Sequence, residues 1–312
     1  MAKSLCTDQV ERYERDGYLC PLPVLSPSEA AQLEASVREH IGRFRGHLGE
    51  PYKHKVHLIA EWADQLVHHP AILDMVTSVL GPDVLCWTSN LLVKPAHHPA
   101  FVSWHQDSGY WALKPAEVLS AWIAITPSNR NSGCVQVSPG THREGPLEHT
   151  DTFDPDNLLT RGQTIAAPPD PSKIVDLVLQ PGEMSLHHVG LAHASAPNTT
   201  DVPRIGLAIR YMSTRVGKQG AQESAMLVRG SDRHQHFIAE RRLSGDFALT
   251  DRMAHNRALR LQVQNNYRQT AGASAEQRFK LGLKKRISEG VLDASYLALK
   301  LRADLTGARR SS

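Results

Sequence analysis

No apolar run in this 312-residue chain approaches the length of a membrane span, which excludes a helical membrane protein. There is no internal repeat and no low-complexity segment. Cysteine is scarce: Cys6, Cys20, Cys86 and Cys134 are widely scattered and form no paired zinc spacing. They are expected to be free thiols in a reducing cytoplasm. Residues 1–8 lack the apolar core of a signal peptide, so export by that route is not expected and a cytoplasmic location is. The helical His-Glu-x-x-His arrangement is missing too, which leaves zinc hydrolysis without support.

What remains is a globular composition, 41% hydrophobic and 21% charged. Charge is unevenly placed. Residues 251–312 carry 13 Lys/Arg against 5 Asp/Glu, whereas the rest of the chain is acidic on balance. The sequence therefore divides into a main domain, 1–250, and a basic helical extension, 251–312. Within the main domain, helices are expected over 1–82, a strand-rich core over 83–215 and irregular chain over 216–250.

Helix signals come first. Thr7–Asp16 is expected to be helical and to stop at Gly17. Ser26-Pro27-Ser28-Glu29 is a capping box with proline at the first helical position, followed by Leu33, Val37 and Ile41 on one face. Short helices are expected at 58–67 and 70–80, ended by Gly81-Pro82. From residue 84 the pattern turns to short aliphatic and aromatic runs, at 84–93, 100–105, 118–125, 134–137, 174–179, 184–187 and 204–211. Gly- and Pro-containing turns separate them, which favours a sandwich or jelly-roll barrel over a parallel sheet. The span 141–173 is expected to be a long loop, of the kind that covers an active site.

Chemistry concentrates at Trp104-His105-Gln106-Asp107, after an apolar run. On a continuing strand, His105 and Asp107 would share a face and reach one metal ion. Seventeen histidines make chance pairs common, and His149-Thr150-Asp151 and His142-Arg143-Glu144 are two more. His149 lies in a polar run that reads as loop. A third ligand is expected from residues 187–198, which hold His187, His188 and His193, the last being the best placed. Two histidines and a carboxylate with open positions opposite form the ligand set of a non-haem Fe(II) oxygenase. In the next strand Arg204 and Arg210 share a face with Gly206 and Ala208, opposite Ile205, Leu207, Ile209 and Tyr211. A guanidinium enclosed in a barrel needs an anion, and a bound carboxylate would serve.

These residues carry a resemblance. Trp104-His105-Gln106-Asp107, Trp122 in Ala121-Trp122-Ile123-Ala124, Asn131-Ser132-Gly133-Cys134, Pro139-Gly140-Thr141-His142, His193-Ala194-Ser195 and Arg204 occur in that order. Over about residues 8–212 the chain resembles the phytanoyl-CoA dioxygenase family of Fe(II)/2-oxoglutarate oxygenases. The resemblance implies a mainly β fold, a double-stranded β-helix (jelly roll, cupin-like) flanked by helices. It implies that His105, Asp107 and His193 hold iron and that Arg204 pairs with the distal carboxylate of 2-oxoglutarate. Ser195 and Trp122 match positions lining the cosubstrate pocket, and Asn90 and Lys94 resemble a polar pair beside it. Trp104, Arg161 and Arg210 are the candidates for substrate contact.

The implied reaction uses O2 and 2-oxoglutarate, releases succinate and CO2, and hydroxylates a C–H bond of a small metabolite. Desaturation, epimerisation, ring formation and a non-catalytic binding barrel are the alternatives. Halogenating relatives carry a small residue where Asp107 stands, so halogenation is not expected. In the extension, three stripes recur: Leu259, Val263 and Tyr267; Phe279, Leu283 and Ile287; Leu292, Tyr296 and Leu299. They predict helices docked by one face with a basic face outward, the surface on which a second copy or an acidic carrier protein would dock. Neither a nucleic acid nor a membrane partner is expected.

Overall fold

A computed structural model describes residues 4–44, 49–159, 161–266 and 275–306. The N-terminal helix Thr7–Asp16 ends at Gly17, whose φ of 82° is in the left-handed region and whose N–H donates to Tyr13 O. At Pro27–Gly42, Ser26 accepts from the Glu29 N–H while Glu29 accepts from the Ser26 N–H at 2.7 Å. Two of the helix's otherwise orphaned donors are thereby satisfied. Helices Glu61–Val67 and Pro70–Leu80 follow.

Two sheets form the body. The larger has seven strands, in the spatial order Tyr18–Pro23, Glu183–His188, Val118–Ala124, Arg204–Ser213, Val84–Lys94, Ser224–Arg229 and Ile238–Ala239. The smaller runs Val102–His105, His193–Ser195, Val135–Val137 and Val175–Leu177, all antiparallel. The fold is mainly β with flanking helices.

Alternation along Arg204–Ser213 explains how the layers assemble. Ile205, Leu207, Ile209 and Tyr211 join Leu33, Val37, Leu66, Ile72 and Val76 in one core between the large sheet and the helices. Each such side chain removed from water contributes about 1.5–3 kcal/mol. From the opposite face, Ala208 packs with Trp122 against Val135, Val137 and Leu177 of the smaller sheet. The polar residues of that face therefore lie between the two sheets.

Several expectations are corrected. Residues 216–250 are not wholly irregular: Ser224–Arg229 adds to the large sheet beside Val84–Lys94. Its polar flanks hide the strand locally, whereas Ala225 and Met226 are buried. The span 141–173 is not a simple loop, because His149–Asp151 pairs with Gln163–Ile165. In the extension, helices Leu249–Asn266 and Ala275–Thr306 pack together, with Leu259, Leu292 and Leu299 buried. Asn256 Nδ2 donates to Leu292 O at 2.9 Å, and Arg260 pairs with Asp293 at 2.8 Å. The Phe279, Leu283 and Ile287 stripe is instead exposed, Phe279 at 71%. Tyr267 lies outside the described residues. Among the described residues no helix is long and apolar enough to cross a membrane.

Candidate metal centre

His105 ends its strand, and His193 begins the neighbouring one directly opposite it in register. Their rings are 4.1 Å apart between centroids. Asp107 is not on the strand, as the alternation argument required. Its backbone is helical (φ −61°, ψ −35°) and caps the short helix Ser108–Trp111. The turn itself swings the carboxylate beneath the imidazoles: Oδ1 is 3.4 Å from His105 Nε2, and Oδ2 is 3.9 Å from His193 Nε2. One ligand atom from each of the three lies within 4.8 Å of the others.

Both histidines are oriented by their own backbones. His105 Nδ1 is 2.9 Å from Ser103 O, and His193 Nδ1 is 2.9 Å from Leu191 O. A carbonyl only accepts, so each Nδ1 carries a proton and each Nε2 is the nitrogen turned to the centre. Burial pushes the His193 pKa down to about 4, with His105 adding to the effect and Asp107 opposing it. Burial acts to raise the Asp107 pKa, but the His105 hydrogen bond and the His193 ring outweigh it and hold the carboxyl ionised. Two imidazoles that turn Nε2 to one point and a carboxylate whose Oδ2 is buried without a hydrogen-bond partner form a donor set suited to a divalent metal. His187, 5.0 Å from the His193 ring, faces the same space, and burial holds its pKa well below the usual range.

Gln106, between the two residues of the motif, gave no sign of its role in the sequence. It is 1% exposed. Its Nε2 donates to Gly190 O at 2.8 Å and to Gly145 O at 3.1 Å, and its Oε1 accepts from the Leu147 N–H at 2.8 Å. The Gln106 backbone N–H donates to His149 Nε2 at 3.0 Å. His149 thus supports the motif from behind. An amide flanked by a histidine and an aspartate was the one available signal, and it carries no direction.

Arg204 is 2% exposed, with Nε and Nη1 buried and lacking partners. Its Cζ lies 5.1 Å from the Trp122 ring centroid, and burial pushes its pKa down to about 10. A buried guanidinium with unmade hydrogen bonds is costly unless an anion arrives. Lys94 is its cross-strand partner. Burial and Arg204 push the Lys94 pKa down to about 7. Its Nζ donates to Ser195 Oγ at 2.6 Å, to Ser195 O at 3.1 Å and to Ala196 O. Ser195 Oγ donates in turn to Gly133 O at 2.7 Å.

The remaining candidates are spread out. Asn90 Oδ1 accepts from Arg210 Nη1 at 2.9 Å, and its Nδ2 meets His54 Nδ1. Arg161 pairs with Asp151 at 3.4 Å and lies over the Tyr110 ring. Trp104 alternates with His105 on its strand and so belongs to the opposite face. His188 donates nothing to the centre; its Nδ1 accepts from the Gly190 N–H at 3.0 Å.

Comparison with known proteins agrees with this geometry. The family model described as Phytanoyl-CoA dioxygenase (PhyH) matches residues 13–206. A 1-deoxypentalenic acid 11-beta-hydroxylase from Streptomyces arenae is 28% identical over 148 residues, 45% of this chain and 52% of that protein. An ectoine dioxygenase from Bordetella bronchiseptica is 28% identical over 158 residues, 46% and 51% respectively. The aligned region thus spans about half the length of these curated relatives. A solved structure described as the non-heme monooxygenase ThoJ, in its apo form, superposes with a TM-score of 0.71 at 34% identity. It covers 89% of this chain and 99% of ThoJ.

Proposed function

The chain belongs to the phytanoyl-CoA dioxygenase family, and from that premise we propose that it is an Fe(II)/2-oxoglutarate-dependent oxygenase. The reading is hydroxylation of an unactivated C–H bond in a small molecule, with release of succinate and CO2. The observation that carries it is the pairing of two features between the same sheets: a convergent His105–Asp107–His193 donor set and an unpartnered buried Arg204. A metal site alone does not require the arginine, and an anion site alone does not require the triad. We take the two sheets to be the halves of a double-stranded β-helix that encloses both.

The residues divide the work. His105, Asp107 and His193 would hold the iron on one side, leaving the opposite positions open. The chemistry supplied by the bound iron is activation of dioxygen, coupled to oxidative decarboxylation of the cosubstrate. Arg204 would take the distal carboxylate of 2-oxoglutarate through its free donors, with Trp122 stacked against the guanidinium and fixing its direction. Lys94 and Ser195 brace the end of that pocket through their mutual hydrogen bonds. No protein acid or base is needed, and none is assigned.

Asp107 separates hydroxylation from halogenation. Its carboxylate would serve as a metal ligand where halogenating relatives carry a small residue, so the reading is a product that gains oxygen. Substrate-dependent succinate formation across a metabolite panel, run with 18O2, tests this reading. A product carrying one labelled oxygen is expected. A product carrying chlorine in excess chloride, or no succinate with any substrate, overturns it. In keeping with this activity, the protein is taken to be cytoplasmic and its principal partner to be the substrate itself.

A further inference from the structure

Arg210 is the second cation of the face that carries Arg204, two strand repeats beyond Ala208's neighbour Gly206 and across from Ser120. Nη1 donates to Asn90 Oδ1 at 2.9 Å and to Ala208 O at 3.1 Å, which uses both of its hydrogens. Trp111 lies beneath the guanidinium, 5.5 Å from Cζ to the ring centroid. The Nε–Nη2 edge remains. Nε is buried without an acceptor, and among the described residues no hydrogen bond is made by Nη2 and no carboxylate forms an ion pair with Arg210.

Most other enclosed cations do not share this condition; Arg252 Nε does, but on the helix Leu249–Asn266 rather than on a strand between the sheets. Lys55 pairs with Glu240 at 2.5 Å, Lys218 with Glu223 at 3.1 Å and Arg161 with Asp151 at 3.4 Å. Lys94 is met by three oxygens. Apart from Arg252, only Arg204 and Arg210 among these hold buried nitrogens with nothing to donate to.

A dicarboxylate cosubstrate that commits one carboxylate to the metal has only the other for a guanidinium. With a divalent metal in place, the metal and Arg204 together bring three positive charges, before Lys94, which meets only uncharged oxygens, is counted. Asp107 and a doubly ionised cosubstrate bring three negative ones. Arg210 is left over, at a site where burial already lowers its pKa. Position points the same way. Arg204 is 2% exposed, whereas Arg210, Asn90, Tyr110 and Trp111 are all partly exposed. An uncompensated charge in such surroundings is expensive, and a guanidinium edge with two parallel N–H groups fits a carboxylate in bidentate fashion.

We propose that Arg210 is the specificity-determining residue of this pocket and that its Nε–Nη2 edge receives a carboxylate of the substrate, which is therefore a carboxylic acid. This rests on the functional reading above, since it assigns the substrate class of the same site. Asn90 is then a positioning residue, holding the other edge of the guanidinium.

The test uses the full chain loaded with Mn(II) and 2-oxoglutarate, with propionate and propionamide as a matched pair of probes at equal ionic strength. Propionate is expected to raise the thermal midpoint and propionamide is not. Arg210→Gln should abolish the difference, and Arg210→Lys, which keeps the charge but not the fork, should weaken propionate by about tenfold or more. Affinity for 2-oxoglutarate should stay within a few-fold of wild type in both variants. Equal responses to the two probes in the wild type overturn the proposal. So does an Arg210→Gln protein that still prefers propionate, or one whose main loss is 2-oxoglutarate binding. If the wild type binds no 2-oxoglutarate with the metal, the functional reading fails instead; the propionate preference, measured with Mn(II) alone, still decides the role of Arg210.

Discussion

The Trp122 indole rests so closely on Gly206 that a Cβ at residue 206 would fall 2.2 Å from Trp122 Cζ2. Glycine at this point lets an aromatic ring lie across the strand, and the ring in turn faces the Arg204 guanidinium. A methyl group there displaces the indole, because a packed interior has no room to absorb it. Gly206→Ala should leave the protein folded, lower its stability by about 1–3 kcal/mol, and weaken 2-oxoglutarate binding about tenfold. Isothermal titration with Mn(II) present, alongside urea unfolding, checks both effects. Wild-type cosubstrate affinity would count against the assigned role of Trp122.

Metal binding should depend on the three convergent residues and, less strongly, on what supports them. His105→Ala and His193→Ala are expected to abolish stoichiometric Fe(II) binding. Gln106→Ala removes the ties to Gly190, Gly145 and Leu147, and His149→Ala removes the acceptor of the Gln106 N–H. Each should lower metal affinity by about 10–100-fold without abolishing it, as loss of a ligand's supporting partner does. Competition with a metallochromic chelator measures all four. The order would be wrong if His149→Ala emptied the site while His105→Ala kept it filled.

Arg204→Gln should weaken 2-oxoglutarate while iron still binds. Loss of a desolvated carboxylate partner costs about 2–5 kcal/mol, or tens- to thousands-fold in affinity. Titration by the visible absorbance of the anaerobic Fe(II)–oxoglutarate chelate gives the dissociation constant directly. An unchanged value would remove Arg204 from the cosubstrate site.

His40 makes stability fall with acid. It is 2% exposed against Phe44, Trp62 and Phe247, and burial pushes its pKa down to about 4 from an ordinary 6.5. Between these values the unfolded chain binds the proton and the folded chain does not. Its contribution is therefore fully present above pH 6.5 and is lost as pH drops towards 4. The share of one such group is about 1.4 kcal/mol per pH unit. His40→Phe should flatten the pH dependence of the urea midpoint by that share. An identical slope in the variant would show that His40 is not among the groups responsible.

Much of this was legible along the chain because the signals are local. Ser26 and Glu29 define a helix start by bonding to each other's backbone, with Pro27 at the first helical position, and alternation from Ile205 to Tyr211 separates the core face from the pocket face. Motif spacing and the family resemblance nominated His105, Asp107, His193 and Arg204. The tertiary structure decided what they do together. Asp107 reaches the histidines because the chain turns out of its strand, a change of direction that the His-x-Asp spacing does not encode. Gln106 has meaning only through Gly190, and Arg210 stands apart from Arg161 only because Asp151 lies beside the latter. The strand Ser224–Arg229 was hidden, and the Phe279 stripe misjudged, for the same reason. An apolar pattern states that a face can be buried; whether another element lies against it depends on contacts between residues remote in sequence.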